Sequence, residues 1–197
     1  MDASVLSRRA ALDILVSCLD KGQPLDDALA RHQGFVGLDP RDRAFVRLLL
    51  ATALRRLGEI DEVLGFLIER RLEGANAAGR QVLRLGAAQL LFLGTPPHAA
   101  VDTSVRLVVD AGLPHLKGLT NAVLRRISRD GPALLGDRDP ARLNTPQWLW
   151  ESWTESYGEE ATRAIAAAHL IEAPLDLTTR SYTDFWAGRL EGEVLSS

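Results

Sequence analysis

The stretch DPRDRAFVRLLLATALRRLG, residues 39–58, decides the fold class. Asp39 offers a capping oxygen, and Pro40 suits the first turn of a helix because its missing N–H would have no partner there anyway. Behind that start, Phe45, Val46, Leu48, Leu49, Leu50, Ala53 and Leu54 leave little polar face. A helix apolar on nearly all sides needs covering on nearly all sides, so this one is expected at the centre of a bundle, ending near Gly58.

The flanking segments supply the cover. From Ser7, the residues Ala11, Ile14, Leu15 and Cys18 recur at helical spacing, and Leu25 and Leu29 mark a short helix between Pro24 and His32. Ile60, Val63, Leu64 and Leu67 mark another. Asn76 can cap a helix in which Val82, Leu83, Leu85, Leu90, Leu91 and Leu93 surround Gly86, Ala87 and Ala88, small residues that permit a close helix crossing. Thr95-Pro96-Pro97 ends that helix and starts the next, which carries Val101, Val105 and Val108 as far as Gly112; a final helix follows over 115–129. No segment before residue 170 alternates at period two. The expectation for residues 1–131 is an all-α bundle of six or seven helices.

Between Asp130 and Pro146 lie two glycines and three prolines among polar residues, the composition of a linker, so the boundary is placed at 132–145. The segment 146–197 opens with a helix started by Thr145-Pro146 and bearing Leu149, Trp153 and Tyr157 on one face; a second helix runs from Glu159 to about Leu170. Leu175-Asp176-Leu177-Thr178-Thr179 alternates apolar and polar, which predicts a strand and a small α/β lead-in. A lone strand leaves its backbone groups unpaired, so its partner has to come from elsewhere, and the sequence reads as a fragment of something longer. Trp148, Trp150, Trp153 and Tyr157 could stack on bases, but acidic Glu151 and Glu155 between them favour packing.

Composition is that of a globular chain, with 46% hydrophobic and 25% charged residues in 197. The net charge of −3 conceals two parts of opposite sign: residues 1–131 hold 18 basic against 15 acidic side chains (+3), residues 132–197 hold 5 against 11 (−6). All but Lys21 and Lys117 of the 23 basic residues are arginine, whose planar fork suits phosphates and base edges. One cysteine, Cys18, excludes an internal disulfide framework, and His32, His98, His115 and His169 share no metal-ligand spacing; no metal is expected. With no basic start followed by an apolar run, and no apolar stretch near the roughly 18 residues a membrane helix needs, a cytoplasmic protein without a membrane partner is expected.

Chemistry concentrates in His115-Leu116-Lys117-Gly118-Leu119-Thr120-Asn121-Ala122-Val123-Leu124-Arg125-Arg126-Ile127-Ser128-Arg129. At about 100° per residue, Leu116, Leu119, Thr120, Val123 and Ile127 share one side while Lys117, Asn121, Arg125, Ser128 and Arg129 share another. No acid lies on that polar side, so its cations, with Arg126, make a site for phosphate. The same cations near a helix C-terminus also suit a solvated face favoured by the helix dipole. Arg8 and Arg9 open the first helix, where cations are electrostatically misplaced, which points to an anionic partner; Asp13, four residues after Arg9, offers an ordinary ion pair instead. Cys18 falls on the buried stripe, and Gly74 and Gly79 match a phosphate loop only by accident, since Arg80-Gln81 follows and no strand precedes them.

Three stretches, Arg80-Gln81-Val82-Leu83-Arg84-Leu85-Gly86-Ala87-Ala88-Gln89-Leu90-Leu91, Pro97-His98-Ala99-Ala100-Val101-Asp102 and Thr120-Asn121-Ala122-Val123-Leu124-Arg125-Arg126, resemble in order and spacing the NusB-type domain in its version fused to methyltransferases. The continuation through Trp148-Leu149 and Tyr157-Gly158-Glu159-Glu160 to Pro174-Leu175-Asp176-Leu177-Thr178-Thr179-Arg180 resembles the RsmB or Sun family of 16S ribosomal RNA cytosine-5 methyltransferases. Asp102 stands where such proteins usually have asparagine, and Ala88 where tyrosine is common. The resemblance implies a NusB-like bundle that docks 16S rRNA, with Arg8, Arg9, Lys117, Arg125, Arg126 and Arg129 on phosphates and Asn121 in polar readout or packing support. It implies S-adenosylmethionine for the parent enzyme, but the sequence has neither the family's glycine-rich loop nor its two catalytic cysteines, so no catalytic residue and no cofactor site is expected in these 197 residues. Two other readings stand beside it: a free-standing transcription antitermination factor binding RNA with a ribosomal protein, and a helical protein-interaction scaffold. Oligomeric state is not legible.

Overall fold

The computed structural model describes residues 3–70, 72–173 and 175–195; Met1, Asp2, Arg71, Pro174 and the end of the third expected segment, 196–197, lie outside the described residues. Helices follow one another as α1 (Ala3–Lys21), α2 (Leu25–Arg31), α3 (Gln33–Val36), α4 (Pro40–Arg55), α5 (Leu57–Leu67), α6 (Ala77–Leu91), α7 (Pro97–Asp110), α8 (Lys117–Leu135), α9 (Pro140–Leu143), α10 (Gln147–Tyr157), α11 (Glu159–Ala168) and α12 (Thr183–Leu190). Asp39 caps α4 as its sequence predicts, with Oδ1 accepting from the backbone N–H of Asp42 at 2.9 Å. Asn76 does not cap α6; its Oδ1 meets His115 Nε2 at 2.8 Å and ties the start of α6 to the approach to α8. No helix among the described residues is long and apolar enough to cross a membrane.

The centre of the bundle is α6 rather than α4. Every residue from Gln81 to Gln89 is buried, and α6 packs against α1, α4, α5, α7 and α8, whereas α4 leaves Leu48 46% exposed. Small residues decide this: an ideal Cβ on Gly86 would lie 2.6 Å from a methyl of Leu124 in α8 and 3.0 Å from Ser104 Oγ in α7, so only a helix without a side chain there can come so close to both. A central helix must also satisfy its polar groups. Arg84 Nε donates to Asp61 Oδ1 at 2.7 Å and its Nη1 to Gln81 Oε1 at 3.0 Å, while Gln81 Nε2 donates to Asp20 Oδ1 at 3.0 Å.

Gly58, expected as the end of α4, sits in the first turn of α5, and its role is close approach. A Cβ there would lie 1.8 Å from the carbonyl oxygen of Leu143, so α9 rests directly on the α5 backbone. Asn144 completes the clasp: Nδ2 donates to buried Glu59 Oε2 at 2.7 Å and Oδ1 accepts from the Glu59 backbone N–H at 3.2 Å. Arg138 adds a 2.9 Å pair with Glu62 and stacks its guanidinium 4.9 Å from the Phe66 ring centroid. The Gly- and Pro-rich stretch expected as loop therefore contains the last turns of α8, a short helix, and a set of bonds to α5. Beyond it α10 packs on α11 and α11 on α9.

The lead-in strand is a correction. No strand forms among the described residues, and Leu175 is 83% exposed. The helix α12 that follows was not anticipated, and neither was α3.

Candidate nucleic-acid interface

Amphipathicity orients α8. Leu116, Thr120, Val123, Leu124 and Ile127 are buried against the bundle, which leaves Lys117, Arg125, Arg126 and Arg129 exposed and Asn121 and Ser128 half-buried at the edge. Alongside lies α7, which starts at Pro96-Pro97 and packs against α8. Between the two lies a groove of about 810 Å³. Asn121, Arg125, Ser128 and Arg129 form one wall, His98 and Asp102 the other, over a floor that includes Val101 and Val105.

Electrostatics along the row are uneven. Arg125 Nε donates to Asn121 Oδ1 at 3.0 Å, one turn back, so the amide aims the guanidinium without neutralising it. Lys117 forms no ion pair among the described residues. Further along, Arg129 donates to both oxygens of Asp130 at 2.9 and 3.0 Å, and Arg126 Nε lies 3.6 Å from the same carboxylate. The hydrogen bond from Arg129 holds the Asp130 carboxyl below the usual carboxylate range and raises the guanidinium in return. The acid-free face read from the sequence thus stops at Arg125, because the next residue after the quoted stretch turns back onto its last two cations. On the α7 wall, Asp102 pairs with Arg106 one turn on at 2.8 Å.

The two N-terminal arginines do not line this groove. Arg8 is 8% exposed; its Nε and Nη2 donate to Gln89 Oε1 at 2.9 and 2.7 Å, and its guanidinium lies 4.7 Å from the Phe45 ring centroid. It is placed inside the bundle rather than on a phosphate, in keeping with its phase at the rim of the core: Arg8 lies three residues before Ala11 on the apolar stripe. Arg9 pairs with Asp13 at 3.1 Å and with Asp110 Oδ2 at 2.9 Å, fastening α1 to the end of α7. Burial works against its charge, but the hydrogen bonds to Asp110 and Asp13 outweigh that and raise its pKa.

Sequence reasoning passed over His98 and Asp102 as site residues. Their one-turn spacing on α7 put them on a common face, but only the packing shows that this face meets Arg125 and Arg129. The aromatic cluster is mixed. Trp150 lies between Arg142 and Arg163, with guanidinium carbons 5.1 and 5.5 Å from its ring centroid, and Trp153 meets His169 edge to face, whereas Trp148 is 69% exposed. Cys18 packs against the core, and burial pushes its thiol pKa up, away from the thiolate a nucleophile needs.

A model of the NusB family matches residues 6–129. Among relatives, the chain is 37% identical over 160 residues to Ribosomal RNA small subunit methyltransferase B of Xanthomonas campestris pv. campestris, covering 81% of this chain and 35% of the relative. Proteins of the same name from Vibrio cholerae and Escherichia coli are 33% and 30% identical over 171 and 189 residues, covering 85% and 93% of this chain and 39% and 43% of theirs. The chain thus spans well under half the length of these relatives.

Proposed function

The chain belongs to the NusB family, and from that membership we propose that its bundle binds RNA along the α7–α8 groove and the row Lys117, Asn121, Arg125 and Arg129. The observation that carries this reading is Arg125, an exposed guanidinium whose one hydrogen-bond partner among the described residues is the neutral Asn121 amide. A cation oriented and left with its charge intact can release counterions from a phosphate backbone, which is where most sequence-independent affinity originates.

The RNA we assign is the 16S rRNA of the small subunit, since the relatives are named for that substrate class, and the setting is the cytoplasm. Residues 1–131 hold the RNA while 146–197 lead, through the 132–145 connection, toward a catalytic domain outside these 197 residues. Tethering raises the local concentration of substrate at that domain without adding contacts at its chemical centre. S-adenosylmethionine belongs there too.

The test is filter binding of a helix-loop from small-subunit RNA across a salt series. Reversing Arg125 and Arg129 together to glutamate should weaken binding about tenfold near 0.1 M salt and flatten the dependence of log K on log salt. Unchanged affinity and slope would remove RNA from this face. The converse variant, Asp130→Asn, takes away the carboxylate shared by Arg126 and Arg129. It should tighten binding about two- to threefold and steepen the slope by roughly one phosphate contact.

A further inference from the structure

Resting on the RNA-binding reading, we propose that the α7–α8 groove takes an unpaired guanine, with Asp102 as the residue that identifies it. Neighbouring packed helices lie about 8–10 Å apart, and the valley between them is too narrow for an A-form duplex. Such a duplex is met across its wide, shallow minor groove, whereas a splayed nucleotide can enter a valley. A phosphate is a poor occupant of its α7 wall, because Asp102 would face it with a second negative charge. A carboxylate only accepts hydrogen bonds, so the group it faces has to donate them.

Guanine alone among the four bases presents two adjacent donors, N1–H and the N2 amine, next to two acceptors, O6 and N7. The two oxygens of Asp102, steadied by Arg106 at 2.8 Å, match the donors. The guanidinium of Arg125, aimed by Asn121, matches O6 and N7, the arrangement arginine most often uses on guanine. Cytosine and adenine place an acceptor beside their amino group, and uracil has one donor between two acceptors, so each would set an acceptor against the carboxylate. His98, exposed one turn before Asp102, is positioned as a stacking partner, and Val101 and Val105 give the base an apolar floor.

Fluorescence anisotropy on the 197-residue chain, with labelled hexauridylates carrying one central guanine, adenine, cytosine or inosine, tests this. The guanine oligomer should bind about five- to a hundredfold more tightly than the adenine or cytosine ones, the range of one bidentate base contact. Inosine, lacking the N2 amine but keeping N1–H, O6 and N7, should bind more weakly than guanine and more tightly than adenine. Asp102→Asn, at an exposed position and checked for unchanged helicity, should lose the preference for guanine over inosine, while Arg125 keeps a smaller preference for both over adenine. Equal binding of guanine and adenine by the native chain, a preference for guanine over inosine that survives Asp102→Asn, or binding of the ribosomal helix-loop without any oligomer would each overturn the guanine site while leaving RNA binding intact. Failure to bind either kind of RNA would instead sink the reading on which it rests.

Discussion

Replacing Gly58 with alanine is expected to lift Pro140–Leu143 off α5 and to cost about 3 kcal/mol of stability, the sum of an overpacked contact and lost buried hydrogen bonds. The new methyl would occupy the position of the Leu143 carbonyl, 1.8 Å from where its carbon must lie, and this obstacle is backbone that no rotamer change can move aside. Displacing it breaks both Asn144 bonds to Glu59 and strands a buried carboxylate on Arg56 alone among the described residues. Because α11 reaches the bundle through α9, the whole α9–α11 unit should loosen with it. Urea unfolding followed by circular dichroism, with amide exchange across 136–145, reads the two effects. Gly65→Ala is the matched control, since open space surrounds that position in the same helix and alanine there should stabilise by about 0.5–1 kcal/mol. Native stability and native exchange protection in Gly58→Ala would mean that α9 does not sit where the structure has it.

Arg8→Ala should also cost about 3 kcal/mol, with no change in RNA affinity per folded molecule. Gln89 is 1% exposed, and its Oε1 depends on two donors from Arg8, so truncation leaves a desolvated carbonyl without them. The cation lost from the face of Phe45 adds to the penalty, as does the space left by the stem. Arg8→Met separates these contributions: it refills the space and should recover part of the stability, but cannot bond Gln89. A variant that keeps its melting profile and loses RNA binding would return Arg8 to the phosphate-contacting role expected of it.

These two substitutions mark where local reading ends. Periodicity and capping residues were enough to establish a helical bundle: Asp39 and Pro40 start α4 as expected, and of the expected stripe Leu116, Thr120, Val123 and Ile127 are buried at and along α8 while Leu119 is half-buried. The order of three short motifs along the chain was enough to indicate the family. The row Lys117, Asn121 and Arg125 was legible too, because residues three and four apart on one helix share a face whatever surrounds it. Only the tertiary structure decided that α6, not α4, takes the centre, that Gly58 exists for a carbonyl 85 residues away, that Arg8 turns inward to Gln89, and that α7 brings His98 and Asp102 opposite Arg125. Helical phase repeats every few residues and is written in neighbours, whereas burial, close approach and charge pairing are set by partners distant in the chain, which no local pattern specifies.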